Sequence, residues 1–207
     1  MNADGYNDIL TGIPNFTNAA GNVAGKIEVY SGKDGSLLWS LEGDNSSQSL
    51  GFHLDAHYDF NGDGVNDLIY ADTGASGVAG ANTGKIFIRS GVNGSLLYSR
   101  EGSVAGERIG QAIIWLKDFN GDGKVDYAYT HYKNGNSTFP QVSVYSGADH
   151  SLLFNVSGYL TSSNFGSQLS ELGDLDGDGN SELMVADPSY SISTQKRGRL
   201  YIYKSSP

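Results

Sequence analysis

The chain has 207 residues, enough to bury a substantial core, with 29 glycines and only 17% charged residues, which implies many turns between short elements. Its 23 Asp and Glu against 13 Lys and Arg give a formal net charge of −10, a field that repels nucleic acid and anionic bilayers rather than attracting them. Cysteine is absent, which excludes disulfides, thiolate metal sites and a cysteine nucleophile, and no apolar run approaches the roughly 18 residues needed to cross a bilayer.

The chain opens on an acidic segment at 2–8 (NADGYND), and then runs into KIEVY at 26–30 and GSLLWS at 35–40. A Leu50-Gly51 pair precedes a fuller acidic loop at 59–67 (DFNGDGVND), followed by Leu68-Ile69-Tyr70, KIFIR at 85–89 and GSLLYS at 94–99. The order then recurs. Ile109-Gly110 leads to DFNGDGKVD at 118–126, Tyr127-Ala128-Tyr129, QVSVY at 141–145 and HSLLFN at 150–155. Phe165-Gly166 leads to DLDGDGNSE at 174–182, Leu183-Met184-Val185 and RLYIY at 199–203. The central aspartates Asp4, Asp63, Asp122 and Asp178 are spaced 59, 59 and 56 residues apart, a period that marks a repeat architecture.

Within each repeat the apolar runs read as strands. Ile27 and Val29, like Ile86 and Ile88, alternate onto one face, and clusters of Gly, Asn, Asp and Ser separate the runs. No stretch offers a helical period. About four strands per repeat predicts an all-β fold, a β-propeller segment of about three and a half four-stranded blades. The blade units run over 1–49 (incomplete), 50–108, 109–164 and 165–207 (incomplete), the first lacking its innermost strand and the last its outermost. Three leftover strands at each end do not make one four-stranded blade. The count therefore favours a piece of a larger propeller, or an open arc needing a partner, over a self-closing four-bladed ring. The chain has no basic segment followed by an apolar one at its start, so no export signal is expected within it.

The acidic loops carry the chemistry. Each places oxygen side chains at positions 1, 3, 5 and 9 with glycine at 6, and carboxylates held so close repel one another unless a cation joins them. Calcium accepts six to eight oxygens, one of them the backbone carbonyl of position 7, whose side chain is then free to vary. The candidate ligands are Asp59, Asn61, Asp63, Val65 and Asp67 in the second loop, and Asp118, Asn120, Asp122, Lys124 and Asp126 in the third. Asp174, Asp176, Asp178, Asn180 and Glu182 serve the fourth, and Asn2, Asp4, Tyr6 and Asp8 the truncated first, where Val65, Lys124, Asn180 and Tyr6 would act through their carbonyls. Calcium is thus expected in three complete loops, with a fourth truncated. A helix-loop-helix calcium site needs Glu at position 12, but Tyr70, Tyr129 and Val185 stand there. Magnesium prefers stricter octahedral geometry with retained water. Turn geometry alone would account for one Asp-Gly pair, not for four periodic copies.

Phe165-Gly166, the loop at 174–182, Leu183-Met184-Val185, Ala186-Asp187-Pro188 and Arg199 to Tyr203 resemble FG-GAP repeats, the blade repeat of integrin alpha-chain propellers and of many bacterial surface proteins. The resemblance covers nearly all of the chain. Leu50 and Ile109 replace the Phe of the motif, and its Gly-Ala-Pro triplet survives only as Gly12-Ile13-Pro14 and Ala186-Asp187-Pro188. The resemblance implies a seven-bladed ring with calcium on blade hairpins, working outside the cell in adhesion or ligand binding. The same repeats accompany secreted enzymes as non-catalytic modules. No ligand-contacting motif carries over.

Catalysis is not expected. His53, His57, His131 and His150 fall at unrelated phases of the repeat, Asp44, Glu101 and Glu107 lie in variable loops, and no nucleophile elbow, phosphate loop or HExxH occurs. Trp39, Tyr98 and Phe154 share one repeat position, as do Tyr30, Tyr145 and Tyr203; inter-blade packing is the expected role and sugar stacking the competing one. Trp115, which has no counterpart, is the candidate for something particular. The loops at 13–24, 73–83, 132–140 and 189–197 differ most between repeats, and such loops on a rigid scaffold are where ligands bind. Sequons stand at Asn15, Asn45, Asn93, Asn136 and Asn155. Open loops of this kind bind calcium on the order of 10⁻⁴–10⁻³ M, which fits the cell surface or the extracellular space and not the cytosol. The expected function is a calcium-binding module for extracellular ligand binding or cell adhesion, calcium being structural, with a protein or glycan partner and further blades. The alternative is a carbohydrate-binding or structural module of a secreted enzyme.

Overall fold

A computed structural model describes residues 1–43, 50–132, 140–159, 164–192 and 195–204. Asp44 and the sequons at Asn45 and Asn136 lie outside the described residues, as does most of the loop at 132–140. No helix occurs among the described residues, and none is therefore long and apolar enough to span a membrane. The chain divides into two compact units, Met1–Gly110 and Gln111–Pro207.

The first unit holds two antiparallel sheets. Strands β1 (Ile9–Ile13), β2 (Lys26–Tyr30) and β3 (Leu37–Glu42) form one, and β4 (His53–Asp55), β5 (Leu68–Asp72), β6 (Lys85–Arg89) and β7 (Leu96–Glu101) the other, each in chain order. The alternation read from the sequence is the burial pattern: Ile27, Val29, Ile86 and Ile88 are fully buried, with half-buried residues between them. Ile27, Leu50, Leu68 and Tyr70 form a core to which both sheets contribute, with Leu10, Trp39, Leu54 and Phe87 packed around it. Each such side chain contributes about 1.5–3 kcal/mol by leaving water.

The second unit repeats the plan. Strands β8 (Ile113–Leu116), β9 (Asp126–Tyr132), β10 (Pro140–Tyr145) and β11 (Leu152–Ser157) form a four-stranded meander. Strands β12 (Gln168–Glu171), β13 (Leu183–Asp187) and β16 (Arg199–Tyr203) form a three-stranded sheet, and a small hairpin of β14 (Ser191–Ile192) and β15 (Gln195–Lys196) is inserted before β16. Its core joins Leu116, Phe119, Val142 and Val144 to Phe165, Leu183 and Val185. The hairpin register slips by one residue at Val29/Tyr30, Ile88/Arg89 and Val144/Tyr145, so one bulge recurs at the same place in three sheets.

The two-residue motif before each later acidic loop has a mechanical meaning. Leu50, Ile109 and Phe165 are buried plugs, and the glycine after each takes a left-handed φ of +90°, +91° and +75° at Gly51, Gly110 and Gly166. A Cβ on Gly166 would come within 2.7 Å of Thr130 Oγ1 and 2.8 Å of Val142 Cγ2. Only glycine satisfies both the backbone conformation and the close approach. Thr130 completes the contact by donating its hydroxyl to the Gly166 carbonyl at 2.6 Å.

Trp115 proves to be ordinary core. It is 1% exposed on β8, opposite Tyr127, whose ring meets it edge-on at 6.4 Å. Trp39 and Phe154 pack between neighbouring sheets, Trp39 through its Nε1 donating to the Gly91 carbonyl at 2.9 Å and Phe154 against Tyr203 at 5.3 Å. His131 lies inside β9, buried, with Nε2 2.9 Å from Ser143 Oγ. His57 is exposed and paired to Asp55, while burial holds the half-buried His53 below the usual histidine range. Asn15, Asn93 and Asn155 are exposed, but Asn155 spends its amide on Ser143 Oγ at 2.7 Å.

Candidate metal centres

Each of the three complete acidic loops is built around the aspartate at its first position, which gathers the backbone amides of the turn. Asp59 Oδ1 accepts from Gly62 N at 2.7 Å and Asp63 N at 3.1 Å, and Oδ2 from Gly64 N at 2.7 Å. Asp118 receives the amides of Gly121, Asp122 and Gly123 at 2.7, 3.1 and 2.8 Å. Asp174 receives those of Gly177, Asp178 and Gly179 at 2.6, 3.1 and 2.9 Å. The chain can curl this tightly because Gly64, Gly123 and Gly179 sit at φ +85°, +78° and +93°. The sixth-position glycine read from the sequence is thus a backbone requirement.

The fifth position repeats the same device. Asp4, Asp63, Asp122 and Asp178 each accept the amide of the seventh residue, from Tyr6, Val65, Lys124 and Asn180, at 2.8 to 3.0 Å. In the first three loops the asparagine at position 3 donates its Nδ2 to that same aspartate: Asn2 to Asp4 at 3.0 Å, Asn61 to Asp63 at 2.9 Å and Asn120 to Asp122 at 3.0 Å. In the fourth loop Asp176 stands at position 3 and is held instead by Lys204 Nζ at 2.6 Å.

The ninth position works differently from the others. Asp67 is fully buried, with Oδ2 accepting from the amides of Phe60 and Asn61 at 3.0 Å and Oδ1 from Gly91 N at 2.9 Å. Asp126 accepts from Phe119 N at 2.8 Å and Gly147 N at 3.0 Å, and Asp8 from Asn2 N and Gly32 N at 3.1 Å. This carboxylate latches the start of its loop to the turn that follows the third strand of the repeat (β2, β6 or β10), a contact the sequence did not reveal because the two ends lie 21 to 24 residues apart. Burial raises the Asp67 carboxyl above the usual range, against the pull of the three amides. Burial likewise pushes Asp126 up to about 6, with Asp122 and Asp118 adding to the rise.

Asp174, Asp176, Asp178 and Glu182 bring one carboxylate oxygen each to within 4.8 Å of one another. Glu182 is 3% exposed; its Oε2 accepts from Leu175 N, while the buried Oε1 has no hydrogen-bond partner. A buried acceptor left unsatisfied beside three more carboxylates is costly, and an all-oxygen donor set of this kind fits a hard divalent ion.

A profile of the FG-GAP-like repeat matches residues 118–185, which span the third acidic loop and most of the fourth repeat's inner strands. Among known proteins, integrin alpha-V of Gallus gallus is 25% identical over 203 residues, covering 98% of this chain. Integrin alpha-3 of Cricetulus griseus and of Mus musculus are each 27% identical over 160 residues, covering 74% of it. The chain spans 14% of the length of each of these integrins. Among solved structures, rhamnogalacturonan lyase YesW superposes with a TM-score of 0.53 at 16% identity, over 89% of this chain and 39% of that one, a likeness of fold alone. The chain is thus similar to the FG-GAP-like repeat over residues 118–185 and to integrin alpha chains over most of its length, and its meander sheets are those of an all-β segment of a β-propeller.

Proposed function

We propose that the chain is a calcium-stabilised propeller module that serves extracellular ligand binding or cell adhesion, the ion being structural and the module itself non-catalytic. The observation that carries the reading is the fourth loop, where four carboxylates converge around a buried, unsatisfied Glu182 oxygen. Asp59, Asn61 and Asp63, and Asp118, Asn120 and Asp122, offer matching oxygens in the second and third loops, joined by the carbonyls of Val65 and Lys124. Asp67 and Asp126 have little left to give, since their oxygens already serve amides. Asn2, Asp4 and Asp8 with the Tyr6 carbonyl make the truncated equivalent. Bound calcium would supply the positive charge that lets these oxygens stay together; the loops themselves only pre-arrange them.

The blade units proposed are 1–49, 50–108, 109–164 and 165–207, the first and last completed by strands and blades beyond those described. The exposed apolar pair Leu200 and Ile202 on β16 supports this, because their counterparts Ile27, Val29, Ile86, Ile88, Val142 and Val144 are fully buried. The similarity to integrin alpha chains supports a cell-surface or secreted setting and a protein partner. Calorimetry tests the metal. At about 5 mM calcium and the affinities usual for extracellular loops, each filled loop adds about 1–2 kcal/mol, so the melting temperature rises and chelator reverses it. An unchanged melting curve sinks the reading.

One observation favours a second reading, a glycan-binding module. Tyr159 is 67% exposed and stacks on Tyr201 at 6.1 Å, and the Arg199 guanidinium lies 3.8 Å over the Tyr190 ring. Exposed aromatic faces of this kind accept sugar rings. Binding on a glycan array that Tyr159→Ala removes would decide for it.

A further inference from the structure

The fourth repeat departs from the other three at position 3 of its acidic loop and at the residue after its third strand, and these two departures answer each other. Position 3 is asparagine in the first three loops and Asp176 in the fourth. The residue after the third strand of the repeat is Ser31, Ser90 and Ser146 in the first three repeats, where each hydroxyl accepts the amide two residues on. In the fourth it is Lys204, whose Nζ reaches back 28 residues to Asp176 Oδ2 at 2.6 Å. One change adds a negative charge to the loop and the other brings a positive charge onto that same residue.

Asparagine and lysine perform the same service by different means. Where position 3 is asparagine, its Nδ2–H quiets the aspartate at position 5, and one carboxylate fewer crowds the loop. Asp176 has no hydrogen to donate, so the fourth loop would hold Asp174, Asp176, Asp178 and the buried Glu182 with nothing between them. An ammonium on Asp176 relieves the repulsion at the rim, although it leaves the Glu182 Oε1 at the bottom unpaired. Both partners of the pair are well exposed, with side-chain exposures of 55% and 39%, so the pair is screened by water and opens at small cost.

We propose that Lys204 is a tethered ammonium that holds the fourth loop in shape without metal and that must leave Asp176 before a divalent cation binds there. The inference rests on the calcium reading above and deepens it. Among the described residues no ammonium pairs with Asp59 or Asp63 of the second loop or with Asp118 or Asp122 of the third, while the fourth carries its own competitor. Lys204 therefore lowers the affinity of a loop whose four carboxylates would otherwise make it the tightest, and keeps that loop ordered when the cation is withdrawn.

The test is a calcium chloride titration of the full chain labelled with ¹⁵N, reading the amides of Gly64, Gly123 and Gly179 as separate reporters of the second, third and fourth loops. It is repeated for Lys204→Ser, which installs the residue type of the other repeats, and for Lys204→Met, which keeps length and removes charge. Both variants are expected to tighten binding at Gly179 roughly two- to fivefold, the range of an exposed ion pair, and to leave Gly64 and Gly123 unchanged. In chelator both should speed hydrogen exchange at Gly179. Unchanged or weaker binding at Gly179 while Gly64 and Gly123 still respond overturns the role of Lys204 alone. No response at any of the three amides overturns the calcium reading and this inference with it.

Discussion

Asp63 and Asp67 stand four residues apart in one loop, yet they answer to different physics. Asp63 is exposed and its carboxylate meets one amide and one side-chain amide, both inside the loop. Asp67 is buried and satisfies three amides, one of them on Gly91 in the next turn. Removing Asp67 leaves three amide donors without their acceptor, that of Gly91 buried and those of Phe60 and Asn61 part-buried, so Asp67→Ala is expected to cost about 2–4 kcal/mol in calcium and in chelator alike. Asp63→Ala should cost under about 1 kcal/mol in chelator, where it is a surface change, and should lose the stabilisation that calcium gives the second loop. Urea unfolding with and without calcium separates the two. If the Asp67→Ala loss vanished in chelator, the ninth position would be a ligand first and a latch second.

The strands and their spacing were readable because period-two alternation and loop composition are local properties of the chain. Ile86 and Ile88 needed only their neighbours in sequence to be placed on one face. What the sequence could not show depends on partners far along it: the amide of Gly91 offered to Asp67, the Tyr127 ring that makes Trp115 core, and Lys204 folded back on Asp176. The insertion at 189–197 read as a variable loop and holds the β14–β15 hairpin, too short for any pattern to register. His150 occupies the turn position of Gly35 and Gly94 and adopts their left-handed backbone at φ +61°, a conformation its side chain does not favour. The buried plug and glycine ahead of each loop were visible as a motif, but their purpose needed the facing strand. Gly166→Ala should cost about 2–4 kcal/mol from its positive φ and the contacts with Thr130 and Val142. Thr130→Ala alone should cost about 1–2 kcal/mol through the lost bond to the Gly166 carbonyl. In the double variant the clash with Thr130 is already gone, so the two losses should fall short of their sum by about 1 kcal/mol. Strict additivity would mean that the glycine is required for its φ alone.

Across the repeats, one strand position tells how a sheet is covered. Ile27, Val29, Ile86, Ile88, Val142 and Val144 are all 0% exposed, whereas their counterparts on β16, Leu200 and Ile202, are 63% and 58% exposed. The same residue type at the same register therefore carries very different free energy. Ile88→Thr should destabilise the chain by about 2–4 kcal/mol, because it removes a buried methyl group and inserts a hydroxyl without a partner. Ile202→Thr should change stability by less than about 0.5 kcal/mol and should lower the tendency of the isolated chain to associate, since it breaks an exposed apolar strip. Chemical unfolding of both variants, paired with sedimentation velocity over a concentration series, reads the two effects separately. A large loss of stability in Ile202→Thr, present only at concentrations where the chain sediments as a larger species, would show that β16 is covered by a second copy rather than by a further blade. A loss of that size in the monomer would instead mean that the apolar face of β16 is packed within the chain itself.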